Sequence, residues 1–313
     1  MLSGDVVSSL DFLTVLRVSG GDALTWLQGQ LTADLADVNA SASRIAAWCS
    51  PRGRVLAIFR VLADPAGGYR LVCERWLTAA LLARLRMFVL RSDVRIDDAG
   101  DTLGVAGVAG VRALPRRFEP WAATAEVDDA ATFGEVAVTR VPGRQRRFMV
   151  TGPHDHIASI MSPRPAGGVA QVGPDAWRLA DICTGVPRVS EAMSDAFLPQ
   201  MLNLERVGGV SFEKGCYVGQ EIVARVQHLG RIRRRAYVGQ TIETAEGDAI
   251  VDTTADGAPK VGDVVAAEPH PDGGNAAFVV LDIASAQSAG LRTRGPDGTP
   301  IRISSPGDPM PPG

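Results

Sequence analysis

Cysteine is scarce in this chain of 313 residues: Cys49, Cys73, Cys183 and Cys216 are the four present, and no two of them form a CxxC pair. That spacing excludes a zinc finger and a small disulfide-stapled scaffold, and it fits a reducing, cytoplasmic setting. An excess of either charge is missing as well. Lys and Arg total 32 against 35 Asp and Glu, a formal charge of −3, so no chain-wide field draws the protein to nucleic acid or anionic lipid. Any nucleic-acid contact would come from a local patch. Long apolar runs are absent: the best candidate, residues 77–90, contains Arg84 and Arg86, whereas a membrane-spanning helix needs about 20 apolar residues. The first twenty residues have no basic segment ahead of an apolar one, and Asp11 and Arg17 interrupt what apolar character there is. No signal peptide is expected.

The sequence does contain enough apolar side chain, 46% by count, to fill two or three domain cores. Residues 12–18 read as a strand closed by Gly20-Gly21, and Asp22 is placed to cap a helix with apolar positions Ala23, Leu24, Leu27 and Leu31. Residues 44–49 and 55–62 read as a hairpin turned by Ser50-Pro51-Arg52-Gly53, followed by a strand at 69–73 and an amphipathic helix over 77–89. Further strands are expected at 103–109, 135–141 and 147–151, with a helix after Pro153. Beyond Arg231, short apolar runs around Tyr237, Val264, Phe278 and Ile301 are separated by Gly, Pro and Asp, which predicts a small all-β barrel or sandwich. The fold class is α+β, divided at 1–100, 101–230 (with segments free to interleave) and 231–305, and ending in a loose tail, 306–313.

The chemically informative stretch is Phe212-Glu213-Lys214-Gly215-Cys216-Tyr217-Val218-Gly219-Gln220-Glu221, which leads into the apolar-periodic positions Ile222, Val223 and Val226. A thiol just ahead of a helix, beside a lysine, is favoured as thiolate by helix-terminal N–H groups and by the ammonium. Read from the residues alone, Cys216 is either a reactive or ligand-binding thiol or a buried structural cysteine between two turns.

This stretch, together with Phe197-Leu198-Pro199-Gln200, Asn203-Leu204 and Gly208-Gly209-Val210-Ser211, resembles the signature of the YgfZ family of folate-binding proteins. Gln28-Gly29-Gln30-Leu31-Thr32-Ala33-Asp34, Trp48-Cys49-Ser50-Pro51-Arg52-Gly53-Arg54 and Trp177 ahead of Gly185-Val186-Pro187 agree in order, so the resemblance reaches to about Tyr237. It implies the architecture of the glycine cleavage aminomethyltransferase: two α+β domains and a C-terminal β-barrel around a cavity for tetrahydrofolate or another reduced folate. It also implies a role in iron–sulfur cluster assembly or repair, with cluster proteins or their assembly machinery as partners, felt by enzymes that methylthiolate tRNA.

The resemblance assigns Cys216 as the key thiol with Lys214 holding its charge, and Trp177, Gln220, Glu221, Asp34 and Arg52 as folate-binding candidates. Trp177 can stack on a flat ring or seal a domain junction. Asp34 suits a cap as well as a cavity wall, and Arg52 and Arg54 suit an exposed turn as well as a glutamate tail. Glu221 is spaced to pair with Arg225. Three departures stand out. Leu56 and Ala57 occupy the positions of the aminomethyltransferase Asp-Asp pair and cannot move a proton, a loss of about 10²–10⁴-fold. Phe12 and Leu13 replace a tryptophan on the first strand, and Cys183 replaces a glutamate. A one-carbon transferase is therefore the alternative, and a scaffold docking through Arg231, Arg233, Arg234 and Arg235 is a third reading. His154 and His156 lack a third metal ligand nearby, so no metal site is expected.

Overall fold

The computed structural model describes residues 4–162 and 168–306. All but one residue of the expected tail, 306–313, lies outside them. The first sheet has the order Arg44–Cys49, Val55–Ala63, Tyr69–Glu74, Leu13–Ser19, Arg95–Asp98, antiparallel throughout. Its strands alternate apolar positions to both sides. Ala46, Trp48 and Phe59 pack with Leu27, Leu81 and Leu85 of the helices Ala23–Gln30 and Thr78–Met87. Ile45, Ala47 and Cys49 face the other way, into a core shared with the C-terminal barrel. Asp22 precedes the first helix as expected but does not cap it through its side chain; Oδ2 instead accepts the Asp93 N–H at 2.8 Å.

The second sheet runs Val169–Val172, Asp5–Ser9, Leu103–Ala109, Arg147–Pro153, Val136–Val141, Ala130–Phe133, and its one parallel pairing joins the first two strands. The strand Asp5–Ser9, from the extreme N-terminal region, thus lies in the middle of a sheet otherwise built from residues after 100. The helix His154–Met161 packs on this sheet, and the helix Pro174–Thr184 bridges it to the C-terminal strands Lys260–Pro269 and Asn275–Asp282. Arg70 reaches across from the first sheet, donating to Thr151 O at 3.1 Å and Glu135 O at 3.0 Å, with its charge held by Asp64 at 3.1 Å. Both partners of that ion pair are buried.

The third sheet is antiparallel, ordered Leu291–Thr293, Ala249–Asp252, Lys260–Pro269, Asn275–Asp282, Arg234–Thr241, Ile301–Ser304. Its two edges meet through the Arg292–Pro300 bridge, so the sheet curls back on itself as the Gly/Pro-punctuated pattern predicts. Among the described residues no helix is long and apolar enough to cross a membrane.

Candidate functional site

Where the two α+β regions meet, Phe12, Leu13, Ile58, Val72, Met149 and Trp177 wall an apolar chamber of about 80 Å³. Trp177 enters it from the helix Pro174–Thr184, one turn ahead of Asp181, a spacing that puts both side chains on one helix face. Asp181 accepts from Arg147 Nη2 at 2.7 Å, and the Arg147 guanidinium lies 3.9 Å from the centre of the Trp177 ring. On the sheet below, a Cβ added at Gly107 would stand 2.4 Å from Trp177 Cε3, so only glycine lets the ring settle there. Trp177 is 2% exposed and packs with Leu13 and Val72 of the first sheet and Leu103 and Val105 of the second. It seals the junction and forms a wall of the chamber. Arg147 lies over its ring.

The chamber adjoins two further spaces. Glu74, Asp181, Val186 and Arg188 are shared with a space of about 260 Å³ that reaches the barrel at Glu268 and Glu246. Arg188 stacks 4.4 Å from the Phe12 ring and pairs with Glu74 at 2.6 Å, while Arg178 pairs with Glu268. Burial pushes the Glu74 and Glu268 carboxyls upward against the pull of these guanidinium partners. Ile45, Arg60 and Val186 are shared with a second space of about 350 Å³ bounded also by Asp128 and Arg206.

The glycine-flanked motif lies elsewhere. Three segments far apart in sequence converge on it. Thr32 Oγ1 donates to Gly209 O at 2.6 Å, and the Ser211 N–H donates to Thr32 O at 2.8 Å. Gly219, at φ 82°, rests against the hairpin turn, where a Cβ would lie 2.4 Å from Ser50 O and 2.9 Å from Gly53 Cα. The helix Gln220–His228 then begins. Tyr217 is buried, its hydroxyl has no partner among the described residues, and burial pushes that hydroxyl up. Cys216 is exposed, which excludes the buried structural reading. The other three thiols are buried; burial pushes Cys49 up to about 12 and raises Cys73 and Cys183 too.

One expectation is corrected here. Lys214 does not hold the charge of Cys216: its ammonium donates to Leu31 O at 2.8 Å and Ala33 O at 2.7 Å, where burial lowers it to about 8 against the pull of Asp34. It ties the motif to the Gln28–Asp34 segment. Cys216 does not line the chamber. Ile45 lines the chamber and Cys49 faces the motif at the far end of the same strand, about 13 Å away along extended chain.

The remaining candidates also lie off the chamber wall. Asp34 is exposed and held below the usual carboxylate range by the Ala36 N–H and by Gln28 Nε2 at 2.6 Å, as a turn residue. Arg52 pairs with Asp195, and Arg54 donates to Ala196 O. Glu221 pairs with Arg225 at 2.6 Å, and Gln220 opens the helix. In the basic run, Arg234 pairs with Asp263 and Arg235 with Glu205, leaving Arg231 and Arg233 exposed. His154 Nε2 lies 3.1 Å from Gly100 O, and no metal-binding group of side chains occurs among the described residues. Leu56 and Ala57 are strand core. Sequence reasoning missed Glu74, Arg147, Arg178, Asp181 and Arg188. The Trp177–Asp181 spacing was the one available signal, since it sets a carboxylate beside an indole on a buried helix face.

No protein-family model matches the chain. The tRNA-modifying protein YgfZ of Klebsiella pneumoniae (strain 342) is 34% identical over 230 residues, covering 72% of this chain and 68% of that protein. The protein of the same name from Edwardsiella ictaluri (strain 93-146) is 31% identical over 231 residues, 73% of this chain and 69% of its own length. Among solved structures, the glycine cleavage system aminomethyltransferase T from Bartonella henselae superposes with a TM-score of 0.77 at 15% identity, covering 97% of this chain and 85% of that one. That likeness shows the fold.

Proposed function

Since the chain belongs to the YgfZ family of tRNA-modifying proteins, we propose that it is a folate-binding accessory protein for iron–sulfur cluster assembly or repair. It would serve cluster-dependent enzymes such as those that methylthiolate tRNA. The observation that carries this reading is the chamber at the junction of the two α+β regions, apolar on its walls and edged by Glu74 and Asp181. A reduced folate joins a flat, N–H-rich heterocycle to an aminobenzoyl group and an anionic chain. Apolar walls suit the rings, and the two carboxylates can accept from the heterocycle's N–H groups. At about 80 Å³ the chamber alone falls below the roughly 300–1,000 Å³ of small-molecule sites, so such a ligand extends into the flanking spaces.

The thiol is a second station on the same scaffold. Cys216 is the exposed cysteine, free to meet a partner protein. One thiolate cannot hold a cluster that takes four ligands, so any transient ligation is shared with the partner. Aminomethyl transfer is favoured only by the fold likeness and is disfavoured by Leu56 and Ala57, which are buried in the strand Val55–Ala63. In cells lacking this chain, a Cys216→Ser copy should leave tRNA methylthiolation at the level of the empty vector. Full rescue by that copy rules out the thiol's role. Transfer of a formaldehyde equivalent to tetrahydrofolate by the purified protein would favour the transferase.

A further inference from the structure

The helix Pro174–Thr184 gives Trp177 and Asp181 to the chamber, and another part of its surface borders a separate groove. That groove, about 530 Å³, lies between the helix, the paired strands Asp5–Ser9 and Val169–Val172, and the turn joining the barrel strands Lys260–Pro269 and Asn275–Asp282. It shares no lining residue with the chamber or with the two spaces that adjoin it. Val6, Val172 and Leu179 make apolar walls, while Ala170, Ala176 and Ala180 are too short to close the gap. Its volume falls within the roughly 300–1,000 Å³ of small-molecule sites.

One polar ring is set into this apolar lining. The barrel turn is closed by the His270 N–H to Gly274 O and the Gly273 N–H to His270 O, both at 2.9 Å, which holds the His270 ring against the groove. Only 6% of that side chain is exposed. The Asp272 N–H donates to Nδ1 at 3.3 Å, so the neutral imidazole carries its proton on Nε2. Nε2 is buried and has no partner among the described residues. A buried donor without an acceptor costs stability, and a ligand oxygen that accepts from it removes that cost. The surrounding charges disfavour an anion: Asp175 lines the groove, Asp272 lies 3.8 Å from Nδ1, and Arg178 is already engaged by Asp175 and Glu268. We propose that this groove binds an uncharged, mainly apolar small molecule that presents one carbonyl oxygen to His270 Nε2. This site is independent of the folate reading.

The test is fluorescence titration of the full chain with prodan, an uncharged naphthalene bearing one ketone oxygen. Its emission moves to the blue in apolar surroundings and to the red when the ketone accepts a hydrogen bond. Prodan should bind at one saturable site, with emission to the blue of that in water. Ala176→Trp fills the groove from the helix and should abolish binding, and Ala180→Phe takes its place if a thermal melt shows that the first variant does not fold. His270→Phe keeps a flat ring and removes the donor. It should weaken binding roughly twofold to tenfold, move the bound emission further to the blue, and melt no lower than wild type. Absence of saturable binding, binding that survives a folded groove-filling variant, or wild-type affinity and emission in His270→Phe overturns the proposal. So does a His270→Phe chain that melts well below wild type, because the imidazole would then be serving the fold and not a ligand.

Discussion

Replacing Gly107 by alanine tests how Trp177 is held. The new methyl group would sit 2.4 Å from Cε3 and 2.6 Å from Cζ3 of the indole, about 1 Å inside ordinary carbon contact. The ring has little room to move. Arg147 lies 3.9 Å from its centre, Asp181 fixes Arg147 at 2.7 Å, and the indole packs between two sheets. Overpacking of this kind costs about 1–3 kcal/mol, offset in part by the roughly 0.4–1 kcal/mol that alanine gains over glycine through the unfolded chain. A net loss of about 1–1.5 kcal/mol is expected. Urea unfolding followed by tryptophan fluorescence measures it, and the double variant Gly107→Ala with Trp177→Leu isolates the cause. If the clash is with the indole, the two changes are non-additive by about 1–2 kcal/mol. Additive losses, or a single-variant cost below about 0.5 kcal/mol, would refute the close packing on which the chamber wall depends.

Lys214 falls from its ordinary 10.5 to about 8 in the folded chain through burial, so the unfolded chain binds more protons between those values and stability should rise with pH across that window. Allowing for its remaining water contact, the rise is about 1–2 kcal/mol; equal pH slopes in wild type and Lys214→Met would show that another group is responsible. Gly219→Ala places a side chain at φ 82° and 2.4 Å from Ser50 O, and should cost at least about 2 kcal/mol. A melting temperature like that of wild type would mean the turn contact is slack. For Asp64, burial raises the carboxyl but is outweighed by the Ala66 N–H, Arg70 and Arg17, leaving it below its ordinary range. Its contribution is therefore present above about pH 4 and lost on acidification. Asp64→Asn strands the buried Arg70 charge and should cost about 3–5 kcal/mol by urea unfolding; a neutral result would sink the bracing role of the pair.

Much of the fold could be read from periodicity because these strands bury one or both faces. The hairpin around Ser50-Pro51-Arg52-Gly53 and the helix at Thr78–Met87 are where the pattern places them, within one or two residues. The strand Asp5–Ser9 was not legible, because its partners Leu103–Ala109 and Val169–Val172 are a hundred or more residues away. Local pattern carries no such pairing. At the site, the resemblance singled out segments that do converge: the Gln28–Asp34 stretch, the hairpin turn and the motif at Cys216 knit together. What it could not tell was where the ammonium of Lys214 points, since adjacency to Cys216 in sequence says nothing about a long side chain that turns back to Leu31 and Ala33. The charges that edge the chamber were equally hidden: Glu74, Arg147 and Arg188 come from three separate elements or loops and meet only in the folded chain.

The most direct test of the account fills the chamber. Ile58 lines it and is only partly buried, so Ile58→Trp should occupy the space without unfolding the strand. Tetrahydrofolate should bind the wild-type chain with one site per molecule and fail to bind Ile58→Trp at the same concentration, with both proteins folded by circular dichroism. Equal heats of binding for the two proteins, or no heat with wild type, would contradict a folate seat at the junction of the two α+β regions.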